Sequence, residues 1–375
     1  MINEEYNYWL SNIDGIGPRK IELLRNTFGS AKEVFHASRK ELIKRIEKTK
    51  REEPIRFFNS DIERVVNSRD EEKIHRDFSR LKEQGIQFVT KEDKEYPERL
   101  RPVDNAPFAL YIKGKLPDNQ QKAIAIVGAR ECTPYGMEIT RYLAGALARE
   151  GVVILSGMAR GIDSYAHIGA LKAGGITCAV LGCGIDICYP RENDRLYLEI
   201  QKDGAVLSEY APGIQPLAGN FPMRNRIISG LSDGILVIEA KERSGSLITV
   251  DMGLEQGKEI YALPGRITDS LSVGCNNLIK MGAKPITSAK DILEDLFANY
   301  KVTPISGNMN SLPSWLQPEE QLVCQCLGME PLHLEVLCGK TGLPVNQLME
   351  ILLKLELQGM IRQPMKNYYV LDKTN

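Results

Sequence analysis

The sequence has no excess of positive charge. Its 375 residues contain 48 lysines and arginines against 49 aspartates and glutamates, so the formal net charge is −1 at neutral pH. Proteins that attract nucleic acid over their whole surface are strongly basic, and this chain is not. Any binding of a polyanion must therefore depend on a local cluster of cations.

The chain also lacks long apolar runs and paired cysteines. No stretch approaches the roughly 20 apolar residues that a membrane-spanning helix needs. The eight cysteines are scattered, and none has the C-x-x-C spacing of a zinc site. The polar N-terminus has no signal-peptide core. These absences predict a cytoplasmic protein with reduced thiols, no bound metal and no membrane contact.

Nucleotide-binding fingerprints are missing as well. The first strand of the pattern described below is followed by Gly128-Ala129-Arg130, which is not the G-x-G-x-x-G of a dinucleotide site. No G-x-x-x-x-G-K-[ST] loop is present, which counts against a P-loop hydrolase. The sequence therefore predicts no nucleotide cofactor.

What the sequence does have, from residue 123 onward, is a regular alternation of short apolar strands and helical patterns. Because strands that alternate with helical crossovers form parallel sheets covered on both faces, this pattern predicts an α/β, Rossmann-like, doubly wound and mostly parallel sheet. Two earlier strand candidates, 86–90 and 108–112, precede it. The predicted strands are 123–127, 152–155, 177–181, 205–207, 235–238 and 259–263, and the predicted helices are 134–150, 162–173, 196–201, 227–231 and 247–256.

Residues 1–84 predict a small all-α domain of four or five helices, with a helical segment over residues 30–46. Gly15-Ile16-Gly17 lies between two amphipathic patterns and resembles a helix-hairpin-helix or SAM-like domain. In such a hairpin the glycines expose backbone N–H groups to phosphate, with Arg19 and Lys20 at the second helix. A purely structural hairpin explains the pattern equally well, so both interpretations stay open.

Ligands of such sheets bind at the carboxyl ends of the strands. Five crossovers place glycine, serine or arginine there. Glycine lets the backbone approach a phosphate, serine donates a hydrogen bond to it, and arginine binds it with two hydrogen bonds. Residues 221–230 are central, because a proline-led loop is expected to place two arginines and an asparagine at a helix N-terminus, which attracts anions. The predicted polyanion site comprises Arg130, Ser156, Gly157, Arg160, Arg191, Phe221, Arg224, Asn225, Arg226, Ser244, Gly245 and Ser246.

The same edge is poor in acids and bases arranged for catalysis. His167 is interpreted as structural, Asp163 as a cap of its helix, and Glu209 and Glu239 as residues that orient the arginines. Aromatic side chains that could stack on bases are Phe221, Tyr189 and Tyr197, although each could instead pack in the interior. The composition of the site therefore predicts binding and no enzymatic activity.

Seven motifs in this order resemble the DprA family (DNA processing protein A, also called Smf) over residues 85–295. The resemblance implies a single-stranded DNA-binding protein that protects incoming strands and loads the recombinase RecA during natural transformation. It also implies that Arg130, Arg191 and the Arg224-Asn225-Arg226 group hold the strand. Homodimers would form through Leu254, Leu278 and Ile279, although Leu278 and Ile279 could equally be core residues. The motifs are VGAR (127–130), SGMARGID (156–163), YPREN (189–193), SEY (208–210), FPMRNRII (221–228), SGSLIT (244–249) and LPG (263–265).

One departure from the family pattern leaves fewer cations at one end of this site. The family has a basic residue shortly before the Phe-Pro pair, where this chain has Ala218-Gly219-Asn220. The domains that follow from the resemblance are a helical domain at 1–84, a Rossmann-like DNA-binding domain at 85–298, a linker at 299–313 and a winged-helix-like domain at 314–375.

The C-terminal segment predicts three helices, 318–327, 331–341 and 345–358, followed by a short hairpin. The last helix offers Asn346, Gln347 and Lys354 for reading DNA, but also Glu350 and Glu356. This mixture favours a protein contact or an accessory role over sequence-specific DNA recognition. Two alternatives to single-strand binding stay open: a Rossmann-like nucleotide phosphate hydrolase, and a sequence-specific regulator that uses this C-terminal domain.

Overall fold

The computed structural model describes residues 1–49, 55–297, 316–328 and 331–371. The predicted linker at 299–313 lies outside the described residues. The chain forms two compact units. Unit one comprises Met1–Gln121, Thr177–Ser232 and Ile248–Lys258, and unit two comprises Lys122–Ile176, Asp233–Leu247 and Glu259–Asn375.

The N-terminal region is helical, as predicted. Its core includes Trp9, Leu24 and Leu42, each at most 3% exposed. The helical segment predicted over 30–46 forms two helices, because Ser38 starts the second one by exchanging backbone and side-chain hydrogen bonds with Glu41. The helices are α1 Asn3–Ser11, α2 Pro18–Phe28, α3 Ala31–His36, α4 Arg39–Thr49, α5 Asn59–Asn67 and α6 Glu71–Glu83.

A mostly parallel, Rossmann-like sheet follows, which confirms the predicted fold class. Its strands are β1 Gln87–Thr90, β2 Ala109–Gly114, β3 Ala123–Val127, β4 Val153–Ser156, β5 Thr177–Leu181, β6 Ala205–Ser208, β7 Gly234–Val237, β8 Glu259–Ala262 and β9 Lys284–Pro285. Within unit one the order is β1-β2-β6-β5, and within unit two it is β4-β3-β7-β8-β9. Only the β1-β2 and β2-β6 pairs are antiparallel in these two runs.

Helices cover the sheet, and their apolar faces complete the core. They are α7 Pro134–Arg149, α8 Ile162–Lys172, α9 Asp194–Asp203, α10 Asn220–Leu231, α11 Gly245–Glu255, α12 Val273–Lys280 and α13 Ala289–Leu296. The strands β3 and β5 are buried at every position, as near-continuous apolar runs predict. The sequence pattern did not predict α12 or α13.

The start of α10 corrects one expectation. The helix begins at Asn220, so Pro222 lies in its first turn and Arg224 lies inside the helix. A proline is tolerated there because the first backbone N–H groups of a helix have no acceptor within it. The two arginines of this segment are therefore not at the helix N-terminus.

The C-terminal region is a winged helix, as the resemblance implied. Its elements are α14 Pro318–Cys326, β10 Leu332–His333, α15 Leu334–Thr341, α16 Val345–Leu357, β11 Ile361–Met365 and β12 Tyr368–Leu371. The three strands are ordered β10-β12-β11. Leu337, Leu348 and Leu355 are fully buried between the helices and this small sheet.

All eight cysteines are free thiols. Over the described ranges, no three histidine, cysteine or acidic side chains come together as a metal site would require. None of the helices in those ranges has the length and apolarity to cross a membrane.

Candidate nucleic-acid interface

In unit two, β3, β4, β7 and β8 belong to one parallel run, so their carboxyl ends share one edge. Two predicted residues, Arg130 and Arg160, follow β3 and β4 and are exposed. Gly161 holds their loops together. It has a φ of +72°, and a Cβ built on it would lie 2.3 Å from the Ala129 carbonyl oxygen and 2.4 Å from that of Arg130. Only glycine allows this approach, which places the two arginine-bearing loops in direct backbone contact.

Ser156 and Gly157 are buried at this edge and form hydrogen bonds within the protein. The Ser156 hydroxyl is buried and donates to the Ile126 carbonyl oxygen at 2.6 Å. The Oδ2 of Asp163, a residue predicted to cap its own helix, accepts from the backbone N–H groups of Gly157 (3.1 Å) and Ala159 (3.3 Å). A carboxylate of the protein thus occupies the backbone N–H of Gly157, a residue predicted for the polyanion site.

The predicted Ser244-Gly245-Ser246 segment forms the start of α11. The hydroxyls of Ser244 and Ser246 are 2.8 Å apart. Gly245 is exposed, and nothing lies within 4 Å of a Cβ built on it, which leaves open space above the helix start.

Two exposed cations beside this segment, Lys241 and Arg243, escaped the sequence analysis. Within the described part of the chain, Arg243 has no hydrogen bond or ion pair. The signal that could have found them is the basic residue directly before Ser244 in the loop that follows β7.

Glu239 does not orient an arginine, contrary to expectation. It is buried and accepts from the backbone N–H of Thr133 at 2.8 Å and from the hydroxyl of the same residue. A Cβ on Gly136 would meet its carboxylate at 2.5 Å, so glycine is needed in the first turn of α7. Glu239 therefore fixes the start of α7 against the end of β7.

In unit one, the carboxyl ends of the parallel strands β5 and β6 lie side by side. Arg191 is exposed there. Tyr189 is 47% exposed, and its ring lies 5.7 Å from that of Phe221. Phe221 packs closely on Gly182, where a Cβ would lie 2.9 Å from the ring. Tyr197 is different, because it is buried and donates to the Ile185 carbonyl oxygen at 2.6 Å, so it belongs to the interior.

Arg224 and Arg226 are both only 5% exposed. A bidentate contact joins Nη2 of Arg226 to the two carboxylate oxygens of Glu209, at 2.7 and 2.8 Å. Its Nε and Nη1 donate to the carbonyl oxygens of Asn105 (2.9 Å) and Met223 (3.1 Å). Glu209 thus orients an arginine, as predicted.

Arg224 donates from Nη1 to the Val180 carbonyl oxygen. The structure therefore engages both arginines of α10 within unit one, while the half-buried Asn225 between them is less enclosed.

Five nucleophilic or acid–base side chains near these strand ends are largely enclosed or engaged by other groups of the protein. Burial raises the pKa of the Cys183 thiol to about 11 and that of Cys132 to about 11, so both stay protonated at neutral pH. His167 is completely buried. Glu209 and Glu239 are engaged as described above.

The predicted dimer residues differ in exposure. Leu254 on α11 is 54% exposed, whereas Leu278 on α12 is only 8% exposed and Ile279 is half-buried. Leu278 therefore packs inside a single chain.

In the N-terminal hairpin, Lys20 Nζ donates to the Gly15 carbonyl oxygen (3.1 Å) and to Asp61 (2.8 Å). A Cβ on Gly15 would lie 2.0 Å from the Arg64 guanidinium. These contacts favour the structural interpretation of the hairpin.

The chain thus combines an N-terminal helical region, a Rossmann-like sheet with exposed arginines after its strands, and a winged helix. That combination defines a class of multidomain Rossmann-like proteins. The family model described as DNA recombination-mediator protein A matches residues 87–297, and the DprA winged helix domain matches residues 310–364. The chain belongs to the DprA/Smf family of DNA recombination mediators.

Individual relatives agree with this assignment. The chain is 48% identical to DNA processing protein DprA of Streptococcus pneumoniae over 200 residues, which cover 53% of this chain and 71% of that protein. It is 31% identical to Protein Smf of Synechocystis over 97% of this chain and 98% of that one.

Two solved structures are also similar. The X-ray structure of DprA from Streptococcus pneumoniae has a TM-score of 0.67 and 34% identity, and the match covers 78% of this chain and 98% of that one. A structure of DNA processing protein A from Helicobacter pylori, whose subject is a single-stranded DNA binding mode, has a TM-score of 0.51 and 32% identity. That match covers 56% of this chain and 98% of the other.

Proposed function

We propose that this protein binds single-stranded DNA, protects incoming strands and loads RecA onto them during natural transformation. It acts in the cytoplasm as a homodimer, with a binding role and no catalytic one, and needs no cofactor. The proposed domains are 1–84, 85–298, a linker at 299–313, and 314–375, and the proposed DNA-binding surface lies in the second of these.

The observation that supports this function best is the pair of exposed arginines, Arg130 and Arg160. Gly161 brings their loops into backbone contact, so two exposed arginines lie on adjoining loops of one edge. Arginine suits phosphate because its planar fork donates two parallel hydrogen bonds. Neighbouring phosphates of one strand are the matching ligand, and the Helicobacter pylori relative gives independent support for a single strand.

The predicted residues take two roles in this proposal. Arg130, Arg160, Arg191, Asn225 and the Ser244-Gly245-Ser246 segment contact the strand, and Phe221 stacks with Tyr189 against a base. The buried members Ser156, Gly157, Arg224 and Arg226 position the loops. For the homodimer, Leu254 is the exposed contact, while Leu278 and Ile279 support the helix from inside.

The test is a salt titration of oligonucleotide binding by Arg130→Ala/Arg160→Ala. Each lost phosphate contact lowers the slope of log K against log salt by about 0.7 for a single strand, so the double variant should lose about 1.4. The matched control is Arg149→Ala/Lys172→Ala, which removes the same charge from exposed positions at the C-terminal ends of α7 and α8. Its slope should stay unchanged.

Equal slopes in the two double variants would contradict the proposed interface. A fragment of residues 85–298 that binds as tightly as the full chain would support the proposed domain boundaries. Turnover of nucleoside monophosphates by the purified protein would favour the hydrolase alternative, and a preference for one duplex sequence would favour the regulator. For the RecA step, RecA filaments should form faster on strands bound by this protein than on strands bound by the arginine double variant.

A further inference from the structure

The helix α16 has an apolar face that the described residues leave uncovered. Val345, Met349, Leu353 and Leu357 are 53%, 42%, 60% and 81% exposed. They are spaced four residues apart, and every fourth residue of a helix advances by only about 40° around its axis. The four side chains therefore form one outer stripe, about 18 Å long at 1.5 Å per residue.

A different face of α16 provides most of its packing within its own domain, and from the outer stripe Met349 Sδ accepts a hydrogen bond from the Tyr369 hydroxyl at 3.9 Å. A second apolar row on the same helix, formed by Leu348, Leu352 and Leu355, is at most 1% exposed and joins the winged-helix core. A surface helix normally buries one apolar face and presents polar residues elsewhere. A helix with two apolar faces, one buried and one exposed, marks an interaction surface.

The charges beside the outer stripe indicate what binds there. At 100° per residue, Glu356 falls between Val345 and Met349 around the helix, and Glu350 falls next to Leu357. Neither glutamate forms an ion pair with another residue of the described ranges. The one lysine of α16, Lys354, contacts Glu320 at 2.5 Å. A DNA backbone would meet two unneutralised carboxylates at this face, whereas a basic protein segment would neutralise them.

We propose that the outer stripe docks an amphipathic helix of a partner protein, whose apolar face is flanked by lysine or arginine. A helix laid along the stripe would bury its own apolar side chains against Met349 and Leu353 at the centre. Its flanking cations would lie against Glu350 and Glu356. This surface goes beyond single-strand binding, since none of these side chains is part of the DNA-binding site proposed above.

The test uses the full-length protein and a fluorescent helical peptide with a leucine face flanked by lysines. Fluorescence anisotropy should show saturable binding. Met349→Glu/Leu353→Glu should weaken it at least about tenfold, because two apolar contacts are lost and two charges are placed in the stripe. The matched control is Gln347→Glu/Gln358→Glu, which adds the same charge at exposed positions on the other side of α16 and should not weaken binding.

Charge reversal tests the rim separately. Glu350→Lys/Glu356→Lys should lose the lysine-flanked peptide and gain a peptide of the same length flanked by glutamates. No saturable binding by the unmodified protein, or equal weakening in the matched control, would overturn the proposal. A lower mass of Met349→Glu/Leu353→Glu in sedimentation would also overturn it, because the stripe would then bind a second copy of this chain. So would a loss of duplex DNA binding alone, because the stripe would then contact DNA.

Discussion

Arginines occupy two very different settings in this molecule. In α10 of unit one, Arg224 and Arg226 are 5% exposed and donate to carbonyl oxygens and a carboxylate. After β3 and β4 of unit two, Arg130 and Arg160 extend from tight loops into solvent. The residue type is the same, but the first pair is enclosed within unit one and the second pair is exposed to solvent. The exposure of each arginine must therefore be known before an arginine-rich motif is assigned to a binding site.

The difference has an energetic side. Removing a guanidinium from water is costly, and the cost is recovered only when every donor finds an acceptor. Arg226 meets this condition, since its Nε, Nη1 and Nη2 all donate to oxygens of unit one. An exposed arginine keeps its hydration until a phosphate replaces the water, so its contribution appears in binding and depends on salt.

The largest expected effect is on stability. Arg226→Ala should lower the free energy of unfolding by about 3–5 kcal/mol, because Glu209 would keep a largely buried charge without a partner. Urea denaturation followed by circular dichroism measures the change. The control is Arg243→Ala, which removes an exposed arginine and should stay within about 0.5 kcal/mol of the unmodified protein. If both variants unfold at the same urea concentration, the contrast between buried and exposed arginines fails.

A smaller effect is expected at the glycine that joins the arginine loops. Gly161→Ala should cost about 3 kcal/mol of stability, because alanine is strained at this φ and its methyl group would overlap the Arg130 carbonyl. Gly174→Ala is the matched control: its φ is +70° but nothing lies within 4 Å, so only backbone strain of about 1 kcal/mol remains. Thermal unfolding of the two variants separates these terms. Equal losses would show that close approach at Gly161 is unimportant.

The smallest effect concerns a side chain without charge. Tyr189→Ala should weaken single-strand binding by about 1–3 kcal/mol if its exposed ring stacks on one base, and should leave the salt slope unchanged. Phe58→Ala removes another exposed ring of unit one, 60% exposed, and should have no effect on binding. Oligonucleotide titrations at two salt concentrations give both quantities. A changed slope in Tyr189→Ala would contradict a pure stacking role.

The sequence predicted the sheet better than it predicted the site. The bounds of β3 and β5 agree to the residue, since both are apolar runs that end at glycine. The helix α12 was not predicted, because Val273–Lys280 has only two strongly buried apolar or thiol side chains, Cys275 and Leu278.

The burial of the α10 arginines could not be predicted from their own segment. One acceptor of Arg226, the Asn105 carbonyl oxygen, is 121 residues away in the chain. The periodicity of apolar residues in a sequence indicates which face of an element is buried. Whether an arginine finds a hydrogen-bond acceptor depends instead on which distant loops the fold brings next to it.

The carboxylate of Asp163 has a further consequence for how this surface distinguishes anions. Successive backbone N–H groups in a tight turn form a concave seat that fits a single phosphate. Here the Asp163 carboxylate itself accepts hydrogen bonds from the N–H groups of Gly157 and Ala159. These two N–H groups are therefore not open to a small free anion such as orthophosphate. Under the proposed function, binding then depends on exposed side chains spaced along the ends of the strands, and such a set favours a ligand that presents several charges along one flexible chain.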